Sequence, residues 1–349
     1  MTIRLGKRFI GPGHPVFIVA EMSGNHGGSL EKAIKTVHAV KRAGADALKL
    51  QTYTADTITV NSDKEDFLLP ETSAWASYKT LWNLYNTGYT PWEWHETIFK
   101  VARELELEVF SSPFDESAVD LLEGLNAGIY KIASPEITNI PLLERVAKTG
   151  KPVIISTGIA NLEDIELALS TVRNGGSKEI VVLKCTTAYP APAEESNLRT
   201  IADIVDRFGV VSGLSDHTTG IAAPIAAVVL GANVIEKHFI LDNNDETVDS
   251  FFSSGEREFS EMVKNIRFVE KALGEVNYDI SKAASANLMG RSSLYVVQPI
   301  KAGDKFSKLN IRSVRPSFGL HPKYYKEILG RIAIYDLEVG DRLSWNVIK

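Results

Sequence analysis

The sequence predicts an α/β fold in which a (β/α)8 TIM barrel is followed by a small β-rich domain. Short apolar runs typical of buried parallel strands recur about eight times before residue 240. Polar or ionisable residues follow where these runs end, as at Glu21, Lys49 and His238. In a TIM barrel all strand exits lie on one face, where the βα loops build the active site. The pattern therefore predicts an enzyme.

Length and composition limit the kind of protein and its partners. The chain has 349 residues, which suits one barrel-sized domain with an additional module. It is 44% hydrophobic and 23% charged, and no apolar stretch approaches the ~18 residues of a membrane span. The net charge of −6 argues against general nucleic-acid binding. We expect neither a nucleic-acid nor a membrane partner.

The N-terminus and the cysteine content predict the compartment. The first residues contain neither the apolar core nor the small-residue cleavage site of a signal peptide. The single Cys185 cannot form an intrachain disulfide, which agrees with a reducing environment. We therefore expect an uncleaved cytoplasmic protein.

The predicted barrel elements can be placed in order along the chain. Strands are predicted at 16–20, 46–51, 107–111, 129–132, 152–156, 179–184, 210–213 and 233–238. One helix is predicted at 29–42 with Ser29 as its N-cap, and another from Thr90 to Leu105 with Pro91 at its first helical position. Each later segment between strands can hold one helix. The long insertion at 52–90 would lie on the active-site face, where such segments often form lids.

The chain changes character after the eighth predicted strand. A helix at 256–272 would close the barrel, and from Arg291 onward short strands alternate with turns. Two similar motifs, PIKAGDKFS and DLEVGDRLS, suggest an internal pseudo-repeat in this part. We expect a catalytic TIM-barrel domain at 1–280 and a C-terminal β-rich domain at 281–349.

Two histidines follow neighbouring strands of the predicted barrel. His217 follows the seventh strand and His238 the eighth, so their imidazoles can converge on one divalent cation. Neutral imidazole suits Mn, Fe, Co or Zn better than Mg. A single histidine would more often be a surface residue or a buried hydrogen-bonding one, but the paired placement favours a metal site.

Lysines and hydroxyls recur around the same predicted mouth. Lys49 follows the second strand and Lys131 the fourth, and a lysine among hydroxyls can hold a phosphate as a point charge. The hydroxyls are those of Ser111, Ser112, Ser134, Ser156, Thr157 and Ser215. Loop hydroxyls commonly form turns, and a Glu21–Lys49 ion pair is a simpler structural alternative for these two residues.

Seven motifs in order resemble those of the sialic acid synthase family. They are EMSGNHGG at 21–28, LKLQ at 48–51, KIAS with Glu136 at 131–136, ISTG at 155–158, CTTAYP at 185–190, GLSDHT at 213–218 and EKHF at 236–239. The segment from GRSSLYV at 290–296 to VRPSFG at 314–319 resembles the antifreeze-like (SAF) domain of those enzymes. The resemblance implies a metal-dependent condensation of phosphoenolpyruvate with the open-chain aldehyde of an N-acetylated amino sugar, giving a nine-carbon 2-keto-3-deoxy acid and phosphate.

The resemblance also implies roles for individual residues. His217 and His238 would bind Mn²⁺ or Mg²⁺, which would polarise the sugar aldehyde. Glu136 would transfer protons, with Glu21 as a further catalytic residue. The substrate-binding residues would be Lys49, Gln51, Ser111 or Ser112, Lys131, Ser134, Thr187, Tyr189, Ser215 and Asp249. Arg315 would reach the active site of a partner subunit, which implies a domain-swapped homodimer.

Two departures from the sialate pattern indicate a branch of the family. Thr187 stands where sialate enzymes typically carry asparagine, and VDSFFS at 248–253 resembles the branch that makes pseudaminic acid. The acceptor of that branch is 2,4-diacetamido-2,4,6-trideoxy-L-altrose, which carries a methyl group in place of a hydroxymethyl. Phe251 and Phe252 would supply an apolar wall for it, or would fill the gap between the barrel and its closing helix.

Three alternatives to this function remain. The same chemistry could act on N-acetylmannosamine or on the legionaminic acid precursor. A barrel that only binds carbohydrate or regulates is disfavoured by Glu136, Lys131 and the two histidines, because a binding protein needs no such constellation. A pyruvate aldolase that forms a Schiff base would also use lysines at strand exits.

Overall fold

Eight parallel strands close into a barrel in a computed structural model that describes residues 1–349. A hairpin of β1 (Ile3–Leu5) and β2 (Arg8–Ile10) precedes them. The barrel strands are β3 (Phe17–Glu21), β4 (Ala47–Thr52), β5 (Glu108–Pro113), β6 (Tyr130–Ile132), β7 (Val153–Ser156), β8 (Ile180–Cys185), β9 (Val211–Asp216) and β10 (Val234–Ile240). Strand β10 pairs with both β9 and β3, which closes the ring. The predicted (β/α)8 barrel is confirmed.

Helices follow the strands along the chain. They are α1 (Leu30–Ala43), α2 (Ala55–Ile58), α3 (Leu81–Gly88), α4 (Trp92–Glu104), α5 (Glu116–Gly124), α6 (Ile140–Ala147), α7 (Leu162–Asn174), α8 (Thr200–Phe208), α9 (Ala222–Val229) and α10 (Glu256–Leu273). Ser29 caps α1 by accepting a hydrogen bond from the backbone N–H of Lys32, as predicted. Pro91 is the N-cap of α4, because its ψ of 133° is not helical, so its predicted position inside the helix is wrong by one residue. A short strand, β11 (Ser254–Gly255), joins β10 immediately before α10. No helix is long and apolar enough to cross a membrane.

Alternation along the strands separates two apolar layers. One set of strand residues fills the barrel interior and includes Phe17, Val19, Ala47, Phe110, Ile129, Ile154, Val181, Leu183, Val211 and Val234. The alternate residues, such as Ile18, Leu48 and Ile235, pack with the helices. Gly213 lies where β9 approaches β10 closely, since a Cβ there would come within 2.1 Å of the Val234 carbonyl oxygen. Inward-facing positions nearer the strand ends carry the polar side chains described below.

The C-terminal part of the chain forms a separate compact unit. The two units are Met1–Gly274 and Glu275–Lys349, so the boundary falls shortly before the predicted position at 280. The second unit contains α11 (Lys282–Ser285), the antiparallel strands β12 (Ser293–Val296) and β13 (Ile311–Val314), and α12 (Tyr325–Ile328).

The two similar motifs of the second unit pair with each other. Ile300 and Leu337 exchange two backbone hydrogen bonds of 2.9 and 2.8 Å. Each motif then turns at a glycine with positive φ, 91° at Gly303 and 96° at Gly340, a conformation that glycine adopts without a steric penalty. The predicted pseudo-repeat is thus a pair of facing turns in a small β-rich module.

Candidate active site

A cavity of about 450 Å³ opens at the C-terminal ends of the barrel strands. Its strand residues include Glu21, Lys49, Gln51, Lys131, Ser215, Glu236 and His238, and its loop residues include Ser134, Glu136, Thr187, Tyr189, His217 and Asp249. The volume lies in the range of small-molecule sites. Most predicted site residues line this cavity; those that do not are Ser111, its alternative Ser112, Thr157, Phe251, Phe252 and Arg315.

Buried ion pairs form the floor of the cavity. The Lys49 amine lies 2.9 Å from Glu21 Oε2 and 2.6 Å from Glu236 Oε1. The Lys131 amine lies 3.0 Å from the same Glu236 oxygen, which also accepts a hydrogen bond of 3.1 Å from Ser215 Oγ. The Glu21–Lys49 ion pair considered as a structural alternative is therefore present, but it belongs to a larger network that faces the cavity.

The charges of this network hold one another in place. Burial opposes ionisation of Glu21, but His238, Lys49 and Lys131 together keep its pKa well below the usual value. Burial also opposes the charge of Lys49, yet Glu21 and Glu236 raise its pKa. Burial lowers the pKa of Lys131, Glu236 offsets this only in part, and the neighbouring Lys49 lowers it further. Lys131 is the amine whose charge an additional anion would stabilise most.

Glu136 is a buried carboxyl group at the edge of the cavity. It lies in the short 3-10 helix Ser134–Thr138 that follows β6. Burial raises its pKa to about 8, and its Oε2 atom has no hydrogen-bond partner. At neutral pH the group is therefore largely protonated and can donate a proton, as a general acid requires.

Buried polar atoms without partners converge on the cavity. Four of the seven such side-chain atoms in the chain line it, namely Glu136 Oε2, Ser156 Oγ, Glu236 Oε2 and His238 Nδ1. A buried polar atom without a hydrogen bond is costly, and such atoms are rare in folded proteins. Their concentration here indicates that the cavity is built for a polar ligand.

The two alternative serines after β5 and Arg315 do not line the cavity. Ser111 Oγ hydrogen-bonds Thr52 Oγ1 at 2.6 Å, and its contact with phosphate stays a prediction. Ser112, the alternative, lies two positions after Phe110 of the barrel interior, and its buried Oγ has no partner. Arg315 directly follows β13 in the second unit, and its contact with a partner subunit stays a prediction.

The two predicted metal ligands lie side by side. The ring centroids of His217 and His238 are 5.4 Å apart. His217 Nδ1 lies 2.9 Å from the Thr186 carbonyl oxygen, which requires a hydrogen on that nitrogen, so the neutral ring has its lone pair on Nε2. His238 Nε2 lies 3.2 Å from Glu21 Oε2, and Nδ1 has no partner. Burial lowers the pKa of His238 to about 3, so its ring is neutral.

The donor set around these histidines is limited to the pair. No group of three or more His, Cys, Asp or Glu side chains is placed to hold a metal ion. A cation bound by the two available imidazole nitrogens would take its remaining ligands from substrate or water. The orphaned Nδ1 of His238 and the fixed tautomer of His217 fit such an open site.

Neither Phe251 nor Phe252 lines the cavity, so the predicted apolar wall at these residues is wrong. Phe252 is 5% exposed and packs against the rings of His238 and Tyr189, with centroid distances of 4.7 and 4.8 Å. Phe251 is 47% exposed and contacts Trp75. Phe252 is thus a packing residue, as the alternative interpretation predicted. It packs against the rings of His238 and Tyr189.

The insertion between β4 and α4 supplies the apolar wall instead. Its cavity-lining residues are Tyr53, Ile58, Trp75, Leu84, Tyr85 and Gly88. The Trp75 indole N–H donates to the Val248 carbonyl oxygen at 2.6 Å, and its ring centroid is 5.3 Å from that of Tyr189. Trp75 therefore joins the insertion to the loops after β10 and β8, as expected of a lid segment.

Comparisons with known proteins give the family. Residues 36–278 match the NeuB family, and residues 291–349 match the SAF domain. The chain belongs to the NeuB family. It is 46% identical to a pseudaminic acid synthase of Campylobacter jejuni, over 94% of this chain and 95% of that protein. It is 44% identical to a pseudaminic acid synthase of Helicobacter pylori, over 95% of this chain and 97% of that protein.

A solved structure agrees with the fold of this NeuB family chain. The crystal structure of the N-acetylneuraminic acid synthetase of Leptospira borgpetersenii, in complex with citrate, has a TM-score of 0.72 and 30% sequence identity. The match covers 82% of this chain and 95% of that one. The resemblance to the sialic acid synthase family drawn from the seven motifs is confirmed.

Three loops of the NeuB family barrel meet at Gly158. A Cβ at this position would lie 1.9 Å from Thr187 Oγ1, 2.9 Å from Ser134 Oγ and 3.0 Å from Cys185 Sγ. The Gly158 N–H also donates to Ser134 Oγ at 3.0 Å. The absence of a side chain at Gly158 leaves room for Ser134, Cys185 and Thr187 to pack this closely.

Sequence reasoning missed several residues of the site. Glu236 stands in the EKHF motif, and its position two residues after the inward-facing Val234 could have identified it. Ser156, one of the predicted hydroxyls, lies at the end of β7 and lines the cavity. Trp75 and Tyr85 have no comparable pattern, because the insertion has no strand register from which an orientation could be predicted.

Proposed function

We propose that the chain is a pseudaminic acid synthase. This transferase condenses phosphoenolpyruvate with 2,4-diacetamido-2,4,6-trideoxy-L-altrose and releases phosphate. The proposal rests on one cavity that brings together Lys131, Glu136 and two histidines at the mouth of a barrel. Relatives of that name are 44% and 46% identical over almost the whole chain.

Phosphoenolpyruvate would bind at the ionic floor. The Lys131 amine and the hydroxyls of Ser134, Ser156 and Ser215 face the same space, a donor set that suits a phosphate or a carboxylate. Lys49 lies beside Lys131 and shares the Glu236 carboxylate with it. Gln51 donates to Glu21 Oε1 at 2.8 Å and completes this side of the cavity.

His217 and His238 would hold a divalent cation, Mn²⁺ or Mg²⁺, through Nε2 and Nδ1 respectively. A cation at this position would polarise the aldehyde oxygen of the acceptor. Glu21 accepts from His238 Nε2 and thereby fixes the orientation and tautomer of that ring. We assign Glu21, predicted as catalytic, to positioning His238 and Lys49.

Glu136 would manage the protons of the reaction. When C3 of phosphoenolpyruvate bonds to the aldehyde carbon, the aldehyde oxygen needs a proton, which the protonated Glu136 can donate. The resulting carboxylate can then accept one proton from the water that adds at C2. The C2–O bond to phosphate then breaks, the remaining hydroxyl proton passes to the departing phosphate, and the ketone forms. Tyr189 and Asp249, which also line the cavity, would contact the sugar.

The insertion would favour the deoxy sugar. Trp75, Leu84 and Tyr85 present apolar surface to the cavity, opposite the ionic floor. An apolar contact discriminates one methyl-sized change by about 1–3 kcal/mol, or roughly 10- to 200-fold. We therefore assign acceptor preference to these residues rather than to Phe251 or Phe252.

A homodimer is also proposed. Val276 and Tyr278 at the start of the second unit are 90% and 95% exposed. A second copy of the chain would cover these two apolar side chains. Arg315 would then contribute to the partner's active site. Sedimentation of the full chain and of a truncation near residue 285 tests this, and a monomer with normal turnover would refute it.

The direct test of function is phosphate release from phosphoenolpyruvate. Three acceptors are compared: the diacetamido altrose, N-acetylmannosamine and the legionaminic acid precursor. We expect the highest kcat/KM with the diacetamido altrose, and Trp75→Leu should reduce this preference without weakening phosphoenolpyruvate binding. Equal kcat/KM for all three sugars would overturn the pseudaminate assignment. Borohydride trapping of a pyruvate adduct would instead reveal a Schiff-base aldolase.

The metal part of the proposal has a separate test. Rigorous chelation should abolish phosphate release, and added Mn²⁺ or Mg²⁺ should restore it. His217→Ala and His238→Ala should each weaken Mn²⁺ binding and lower turnover, because each removes one of two protein ligands. Full activity after chelation would contradict the metal assignment while leaving the phosphoenolpyruvate site intact.

A further inference from the structure

A second buried ion pair lies directly behind the two histidines. Asp216 precedes His217, and Lys237 precedes His238. The Lys237 amine lies 2.5 Å from Asp216 Oδ2 and 2.6 Å from the Thr218 carbonyl oxygen. Both charged side chains are almost completely buried, and neither lines the cavity.

The pair lies on the outer face of strands β9 and β10. Asp216 lies two positions after Leu214, and Lys237 lies two positions after Ile235, so each charged residue shares the face of its apolar neighbour. Both apolar residues pack with the helices. The register of the two strands places Lys237 opposite Asp216. The pair is therefore separated from any substrate by the backbone and acts on the site only through the residues it holds.

The hydrogen bonds of the pair enclose His217 from both sides. Asp216 Oδ1 accepts from the Thr218 N–H at 3.1 Å and from Thr218 Oγ1 at 2.9 Å. Since Lys237 binds both Asp216 and Thr218, the residues on either side of His217 are tied to the residue before His238. The turn that carries one imidazole is thus fixed to the strand that carries the other.

Stability alone does not account for these two charges. Replacing a buried ion pair with uncharged residues of similar volume is often neutral or stabilising, because desolvation offsets the attraction. A fixed geometry of metal ligands does depend on such outer contacts. We infer that Asp216 and Lys237 are positioning residues that set the spacing of His217 and His238 for the divalent cation. The inference rests on the metal part of the proposed function.

The test is the affinity of the full chain for Mn²⁺, measured without substrate from the electron paramagnetic resonance signal of the free ion. The double variant Asp216→Asn with Lys237→Met removes one charge of each sign, so the net charge behind the histidines is unchanged. We expect its Mn²⁺ dissociation constant to rise about 10- to 100-fold while its urea midpoint stays near that of the unmodified chain.

A control uses an ion pair remote from the cavity, in which Asp46 is buried and Arg267 is partly exposed. Arg267 lies 2.7 Å from Asp46, which precedes β4 at the other end of the barrel. Asp46→Asn with Arg267→Met should leave the Mn²⁺ dissociation constant unchanged, whatever its effect on stability. An equal loss of Mn²⁺ affinity in this control would assign the effect to general loosening of the barrel and overturn the inference.

A milder variant covers the case in which the double variant does not fold. Thr218→Val removes only the hydroxyl donor to Asp216, and we expect a smaller rise in the Mn²⁺ dissociation constant. Unchanged Mn²⁺ affinity in Thr218→Val and in any folded double variant would overturn the inference alone. An unmodified chain that does not bind Mn²⁺ would overturn the metal proposal, and the inference with it.

Discussion

Four barrel strands carry an apolar residue into the barrel interior and a charged residue two positions later. The pairs are Val19 and Glu21, Ala47 and Lys49, Val234 and Glu236, and Ile129, which directly precedes β6, and Lys131. The apolar residues form the lower part of the interior, and the charged residues form the floor of the cavity. The same inward register therefore serves packing at one end of the barrel and recognition at the other.

Burial of side chains contributes differently to the free energy of folding at the apolar end and at the charged end of the barrel. At the apolar end, each buried side chain contributes about 1.5–3 kcal/mol from the removal of its surface from water. At the charged end, desolvation of each ion offsets most of the attraction between partners, so the network adds little net stability. Such a network would supply preorganised charges to the anionic substrate proposed above, and it is costly to disrupt in part.

The largest expected effect comes from removing the shared carboxylate. Glu236→Ala leaves Lys49 and Lys131 with only Glu21, and we expect unfolding free energy to fall by about 3–5 kcal/mol, because an uncompensated buried charge remains. Urea denaturation measures it. The matched control is Glu256→Ala, which removes the exposed partner of Arg42 and should cost about 1 kcal/mol. Equal losses in the two variants would show that breaking the buried ion pairs at the cavity floor costs no more than breaking a surface ion pair.

Truncation at the apolar end should separate stability from activity. Ile154 lies in the barrel interior, and Ile154→Ala should lower the free energy of unfolding by about 2–5 kcal/mol through lost burial and a cavity. Turnover per folded molecule should change little, since Ile154 does not line the active-site cavity. Ile154→Val serves as the graded control at about 0.5–1.5 kcal/mol. A large loss of turnover in folded Ile154→Val would contradict the division between the two ends.

At Glu136 we expect a small effect on stability below pH 4.5, a growing effect as the pH rises, and a large effect on turnover. Its pKa of about 8 in the folded chain exceeds the ordinary value of 4.5, so the folded state binds the proton more tightly. Its contribution to stability is fully present below pH 4.5 and is lost as the pH rises toward 8. Glu136→Gln should therefore match the unmodified chain at pH 4.5 and exceed its stability near pH 8.

Turnover gives a second measurement on the same variant. Glu136→Gln should lower kcat about 10²- to 10⁴-fold with little change in the KM for phosphoenolpyruvate, because the amide keeps the shape but cannot transfer the proton. Ser177→Ala removes a buried hydroxyl outside the cavity and should leave kcat unchanged, so it controls for activity lost during purification. Unchanged kcat in Glu136→Gln would remove the residue from the proton-transfer step.

Much of the site could be predicted because strand exits in a barrel share one face. The placement of Lys49, Lys131 and His238 after apolar runs was sufficient to bring them to one cavity. The same reasoning could not decide whether Ser111 or Ser112 faces the barrel interior. A shift of one residue in the predicted strand moves each side chain to the opposite face of the sheet. The EKHF motif alone does not show which of its three adjacent polar residues faces inward, and the inward position of Val234 is what identifies Glu236.

The sequence by itself determined the barrel, the β-rich C-terminal module, the family and most of the residues around the cavity. These follow from periodicity, from motifs and from the fixed relation between strand ends and the active-site face. Tertiary structure alone decided the orientation of side chains in the loops. It turned Phe252 behind the histidines and brought Trp75 into the cavity wall. The physical reason is that a strand imposes a two-residue alternation on its side chains, whereas a loop is oriented only by the contacts it makes after folding.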